Sequence, residues 1–449
     1  MKTLFLFSSL LITFNLCANN PSLLTADEIV ASIQTPEIPN YQISILNFGA
    51  KDDGKFNNVK AFQKAINHLK KKGGGMLIVP SGEYFCDGPI HLTSHMELRL
   101  EKGARLFFSG QSKSYLPAVE TSWEGTFVYN YSPFIYAKGC TDIVLSGEGV
   151  VDGEAKDSWS TWRAKQANAQ QRSRDFNHAS TPVEERVFGE GDYLRPQLIQ
   201  FFDCQRVRVE GIRLEDSPFW CLHLLRCEDV VVRAISFDAF NANNDGIDPE
   251  YSRNVLIENV KFNNGDDNVA IKAGRDHEGR AAAHGSENIV VRNCVFRGLH
   301  ALVIGSEMSA GVQNVFVEDC TYAGYLKRGI YLKSNPDRGG FIKHIYVNNV
   351  DFGDTEDCIY ITSYYHNQGE GNVTEFEDIN FSNIRCERAT NTAIVLQGFP
   401  YKKLSGVKLT NIHIKDAKNG LSMENTQGID MSDVTIGNPA GAPSAVGHK

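Results

Sequence analysis

Glu228-Asp229-Val230-Val231-Val232-Arg233-Ala234-Ile235-Ser236-Phe237 is followed by Arg253-Asn254-Val255-Leu256-Ile257-Glu258-Asn259-Val260-Lys261-Phe262, and then by Glu287-Asn288-Ile289-Val290-Val291-Arg292-Asn293-Cys294-Val295-Phe296. Each stretch opens on an aliphatic residue with another two places on, and is apolar again five and seven places on. Working outward, the same register yields eight units opened by Val207, Val230, Val255, Ile289, Val315, Ile345, Ile379 and Val407, at intervals of 23 to 34 residues. Each unit carries a third alternating segment, from Leu222/Leu224 to Leu421/Met423. Period-two alternation marks strands with one buried face, and self-similarity at this interval marks a solenoid. Strands this short make no core alone; stacked coil on coil they fill a continuous interior and bond along the axis. The expected fold is all-β, a right-handed parallel β-helix with three strands per turn, its handedness taken by analogy. A propeller needs hairpin blades and a helical repeat needs period 3.6, and neither pattern is present.

One continuous core makes a single domain of the 449 residues. Residues 44–440 read as the β-helix and 19–43 as an N-terminal extension. Lys2, the apolar run from Leu4 to Leu16, and Ala18 read as a signal peptide over residues 1–18, too short for a membrane span. An exported protein, periplasmic or secreted, is expected, and bulky Leu16 before Cys17 argues against a lipoprotein anchor. The remaining nine cysteines read as small apolar ladder residues, and no His/Cys spacing points to a metal. Val59, Phe62, Ile66 and Leu69 form one helical face that caps the open solenoid end. Residues 152–195, with Trp159 and Trp162, break the rhythm and read as a loop insertion near the binding surface. With 45 basic against 54 acidic residues, neither nucleic acid nor a membrane surface is the expected partner; an acidic substrate requires cations placed locally.

Two places before each third-strand opener the residues run Trp220, Asp245, Asp267, His300, Arg328, Asp357, Thr392, Asn419. Stacked strands repeat at ~4.8 Å, so neighbours in this column lie within one side chain's reach. Asp266 adjoins Asp267, and carboxylates this close push at least one proton affinity upward. A protonated acid beside an ionised carboxylate suits glycosidic hydrolysis. His300, one coil on, is placed to hydrogen-bond and tune the acid. An Asp in Asn-Asp-Gly or Gly-Asp-Asp alone is a turn former; coincidence in one column reverses that reading. Lys272 and Lys333 share an outward column two coils apart, with Arg275, Arg280, Arg328 and Arg338 in neighbouring turns. Cations converging beside carboxylates in an acidic protein point to a uronic acid polymer.

These residues resemble the family 28 glycoside hydrolases, the polygalacturonases and their pectin-lyase-like relatives. Asn243-Asn244-Asp245, Gly265-Asp266-Asp267, Leu299-His300-Ala301 and Tyr331-Leu332-Lys333 match the family's Asn-Thr-Asp, Gly-Asp-Asp, Gly-His-Gly and Arg-Ile-Lys. The resemblance implies hydrolysis of α-1,4-galacturonide bonds with inversion and without metal or cofactor. It makes Asp266 the general acid, has Asp245 and Asp267 activate water, has His300 assist the acid, and assigns a substrate carboxylate to Lys333. Asn243, Lys272, Arg275, Arg328 and Tyr331 complete the expected substrate-binding set, on a monomer acting on pectic poly- or oligosaccharide. Tyr331 is the serious departure, since a phenol forms no bidentate pair with a carboxylate and offers a stacking face instead. Either Arg275 or Arg328 replaces the missing guanidinium, or the sugar is rhamnogalacturonan or a substituted galacturonan. The segment from Gly274 to Arg280 resembles exo-acting members and, with the insertion, walls off a pocket for a chain end. A non-catalytic β-helix using Trp159, Trp162 and Tyr331 as sugar platforms, and a calcium-dependent lyase, are the competing expectations.

Overall fold

One residue in the left-handed backbone conformation makes the turn into the first strand of each coil, which is why the sequence units begin as they do. Before the eight openers stand Arg206, Asp229, Asn254, Asn288, Asn314, His344, Asp378 and Gly406, with φ from 52° at Arg206 to 71° at Gly406. Asn and Asp enter that region at the lowest cost among residues bearing a Cβ. Their side chains then bond to one another along the axis: Asn314 Nδ2 donates to Asn288 Oδ1 (2.8 Å), Asn288 to Asn254 (3.1 Å) and Asn254 to Asp229 (3.2 Å). A second left-handed turn closes the same strands at Asn259, Asn293, Asp319, Asn349, Asn383 and Asn411.

The computed structural model describes residues 23–437 apart from 368 and 370, so the expected signal peptide and Cys17 lie outside the described residues. Parallel pairing places Ile43, Leu77, Leu98, Leu145, Val209, Val232, Ile257, Val291, Val317, Val347, Phe381, Leu409 and Met431 in one column. All eight openers pair with their neighbours. So do the third strands, from Leu222 opposite Ile247 to Ile394 opposite Leu421. The inward residues form one apolar core along the axis. The nine described cysteines are buried free thiols; Cys227 Sγ, for example, donates to the Phe201 carbonyl (3.2 Å).

Helix α1 (Ala26–Ser32) is closed by a Thr25/Glu28 capping box and buries Ala26 and Ile29 against Leu256 and Val290 on the outer face of the first sheet. Part of the expected extension is thus a packed strap. Helix α2 (Val59–Lys71) buries Phe62, Ile66 and Leu69 over the first coil, as its periodicity required.

The insertion is not a loop. It holds a 3₁₀ helix (Trp159–Ala164) and helix α3 (Ala167–His178). The buried residues of α3 are Ala169, Ser173 and Asn177, too small and polar to give an apolar period. Trp159 is 1 % exposed, packs on Tyr115, Tyr131 and Phe134, and donates its indole N–H to the Ser109 carbonyl. It anchors the insertion and offers no sugar platform. An antiparallel hairpin (Val119–Trp123 with Thr126–Asn130) and helix α4 (Asp276–Ala281) complete the structure beside the insertion.

Asn288→Ala removes two rungs of the amide ladder and forces a Cβ-bearing residue without a polar side chain into a φ of 56°; it should lower unfolding free energy by about 1–3 kcal/mol in denaturant titration. Asn288→Gly keeps the turn and loses only the rungs, so it should cost less.

Candidate active site

The turns before the third strands are braced from below by buried amides, which fixes where the acidic residues stand. Asn244 Nδ2 donates to the carbonyls of Ser217 (2.8 Å) and Phe219 (2.9 Å). Asn264 Nδ2 bonds the Asn244 and Asp267 carbonyls, and Asn268 bonds Asn264 and the Arg297 carbonyl. Gly246 follows Asp245 because a Cβ there would meet the Asn268 carbonyl at 2.5 Å. On this frame Asp267 lies opposite His300, His300 opposite Arg328, and Arg328 opposite Asp357, as the column predicted.

Asp267 is held from two sides. Lys333 Nζ donates to Oδ2 at 2.9 Å and His300 Nδ1 to Oδ1 at 2.6 Å. Asp266 Oδ1 accepts the Asp267 N–H at 3.1 Å. Lys272 Nζ stands 3.6 Å from Asp245, 3.6 Å from Asp248 and 3.5 Å from Glu307, over the Trp220 ring. Burial raises the proton affinity of every acid here, and the partners decide the outcome. For Asp266, burial and the adjacent Asp267 charge push its pKa up to about 6. For Asp267, burial is outweighed by Lys333 and His300, and the carboxyl is held far below its ordinary value. Asp245 moves well above the usual carboxylate range through burial and the charges of Asp248 and Asp266, and Asp248 moves the same way. Burial lowers the His300 pKa despite Asp267, and the ring donates through Nδ1 to that carboxylate. A protonated acid beside a fixed carboxylate, in a cavity of about 310 Å³, is equipped for acid/base transfer across a bound bond.

Asn243, Asp245, Asp266, Asp267, Lys272, Arg275 and Lys333 all line that cavity. Three expectations need correction. His300 bonds Asp267, not Asp266, the expected acid, because the strand register sets it opposite Asp267. Tyr331 is 5 % exposed, with its ring against His300 and beneath the Lys333 ammonium; it supports both and presents no stacking face. Arg328 is sandwiched between Tyr331 and Tyr360 beside Asp357 and does not line the cavity. The Lys272 and Lys333 column is present, yet the walls bury both residues.

Glu307, Glu124, Arg163, Arg174, Tyr365 and His366 also line the cavity, and Arg338, read only as a neighbouring cation, bonds Asp276 and the Ser306 carbonyl. Glu307 lies two places after Gly305, the residue paired with Lys333, so the register carried that signal. Glu124 at the hairpin tip, and Arg163 and Arg174 on the insertion, stand outside the repeat and had none.

A model of the glycosyl hydrolases family 28 matches residues 189–432, and one described as rhamnogalacturonase A/epimerase, pectate lyase-like, matches residues 42–131. The chain is similar in structure to a hyperthermoactive exopolygalacturonase from Thermotoga maritima, with TM-score 0.82 and 34 % identity over 91 % of this chain and 95 % of that one. It is 28 % identical to a probable polygalacturonase of Vitis vinifera over 83 % of this chain and 74 % of the relative. It is likewise 28 % identical to an endo-polygalacturonase of Pectobacterium carotovorum over 78 % and 83 %.

Lys333→Met leaves Asp267 buried without its ammonium and should destabilise the fold by about 3–5 kcal/mol near neutral pH. The native pKa of Asp267 is depressed, so its pairing stabilises above the unfolded carboxylate value and fades as pH falls. The gap between wild type and variant should therefore narrow in acid; pH-resolved denaturation curves measure it.

Proposed function

The chain belongs to family 28 of the glycosyl hydrolases, and from that premise we propose that it hydrolyses α-1,4-galacturonide bonds of pectic poly- or oligosaccharide, acting on chain ends. The observation that carries the chemistry is the unequal pair, Asp266 holding a proton up to about pH 6 beside Asp267 held ionised by Lys333 and His300. Asp266 donates its proton to the glycosidic oxygen as the bond to the anomeric carbon breaks. Asp267 and Asp245, on adjacent coils, orient a water, and the ionised Asp267 takes its proton as the oxygen adds to the opposite face, inverting the configuration. Every proton moved rests on a side chain of this protein. His300 keeps Asp267 aligned and stands within 4.8 Å of Asp266; Asn243, Lys272, Arg275 and Lys333 surround the sugar.

Chain-end action is supported by the walls: Glu124 from the hairpin and Gln170 and Arg174 from α3 line the cavity, and the Thermotoga relative is an exopolygalacturonase. The apolar leader supports export, and among the described residues no helix is long and apolar enough to cross a membrane. The acidic net charge supports an enzyme without nucleic-acid partners. Tyr331 at the family's arginine position favours one second reading, a rhamnogalacturonan or substituted galacturonan as substrate.

Asp266→Asn should lower turnover of oligogalacturonate roughly 10²- to 10⁴-fold with the fold intact; undiminished turnover would move the acid role to another residue, and no turnover by the wild type would leave a binding protein. Because the acid must be protonated, kcat/KM should fall as pH rises through about 6, read from a pH–rate profile. Product chromatography should show monomer first from homogalacturonan; release only from rhamnogalacturonan would select the second reading.

A further inference from the structure

Most cations facing the cavity are already engaged. Lys333 bonds Asp267 at 2.9 Å, and Lys272 stands among three carboxylates at 3.5–3.6 Å. Arg275 bonds Asp276 at 3.0 Å, and Arg338 bonds the same carboxylate and the Ser306 carbonyl. His366 is driven toward its neutral form by burial and by the neighbouring Lys333 and Arg174. The cations of the insertion differ. Arg174, on α3, has a buried Nε with no hydrogen-bond partner and only a distant carboxylate, Glu124 at 3.8 Å from Nη2. Arg163, on the 3₁₀ helix, is exposed and pairs with no carboxylate among the described residues. Glu124 is itself held by Gln170 Nε2 at 2.7 and 3.0 Å, so it braces the wall without satisfying Arg174. The Arg174 side chain as a whole is 27 % exposed and lines the cavity, so its guanidinium is open to an acceptor that a ligand supplies.

We propose that Arg174, assisted by Arg163, receives the carboxylate of the uronate unit at the walled end of the cavity, and that the insertion thereby makes the enzyme specific for a free, unesterified chain end. The inference rests on the uronide-hydrolase reading of the site. A guanidinium fits a carboxylate as a planar, charge-assisted donor, and esterification removes the charge and adds a methyl where the guanidinium stands. Arg174 is a specificity-determining residue; it takes no part in proton transfer.

The test compares digalacturonate with the same disaccharide methyl-esterified on the unit lodged at the walled end, using wild type, Arg174→Gln and Arg174→Lys. Wild type should favour the free acid by roughly ten- to a hundredfold in kcat/KM. Arg174→Gln should lose that factor on the free acid, mainly in KM, and little on the ester, so that it no longer distinguishes them. Arg174→Lys should keep part of the preference, and thermal melts should show all three folded. Equal losses on both substrates by Arg174→Gln, or no preference in wild type, would overturn the proposal. Turnover of neither disaccharide by wild type would instead sink the galacturonide reading, and the proposal with it.

Discussion

A parallel strand can repeat only at the spacing its backbone hydrogen bonds dictate, about 4.8 Å, and everything notable in this molecule follows from holding that spacing coil after coil. It stacks the apolar openers into one core. It also compels whatever stands before each third strand to stand beside its counterpart. Asp267, His300 and Arg328 are consecutive rungs for that reason, and Asp245 lies one coil below. Chemistry that elsewhere needs several loops to converge is here a by-product of translation along one axis.

Such crowding would be unstable were the charges left alone. The cluster survives because the buried acids are treated differently: one stays ionised between an ammonium and a hydrogen-bonding imidazole, one keeps its proton to about pH 6, and Asp245 and Asp248 both move upward around Lys272. The second sphere is as specific as the first. Tyr331, Arg328 and Tyr360 form a stacked support under His300 and Lys333, with Tyr331 buried at its centre.

The periodic part of the molecule was legible in the sequence to the residue, because a period-two pattern that recurs eight times leaves little freedom in the pairing. The openers, the third strands, the acidic column and α2 were all readable for that reason. What escaped was aperiodic: the hairpin carrying Glu124, and α3, whose buried face of Ala169, Ser173 and Asn177 has no apolar contrast to detect. The contacts of Tyr331 and Arg328 escaped differently. Their column was known, but period alone does not say whether an outward side chain meets solvent, substrate or another wall.

The intervals between openers vary from 23 to 34 residues while the openers and the third strands stay paired coil to coil, so the variation in length is taken up in the turns and bulges between them. Walls and catalytic column are therefore separable units of inheritance. A turn can lengthen, acquire a helix or exchange its charged residues without disturbing a core rung or the carboxylates beneath it. This architecture allows substrate range to drift while the bond-breaking apparatus stays fixed.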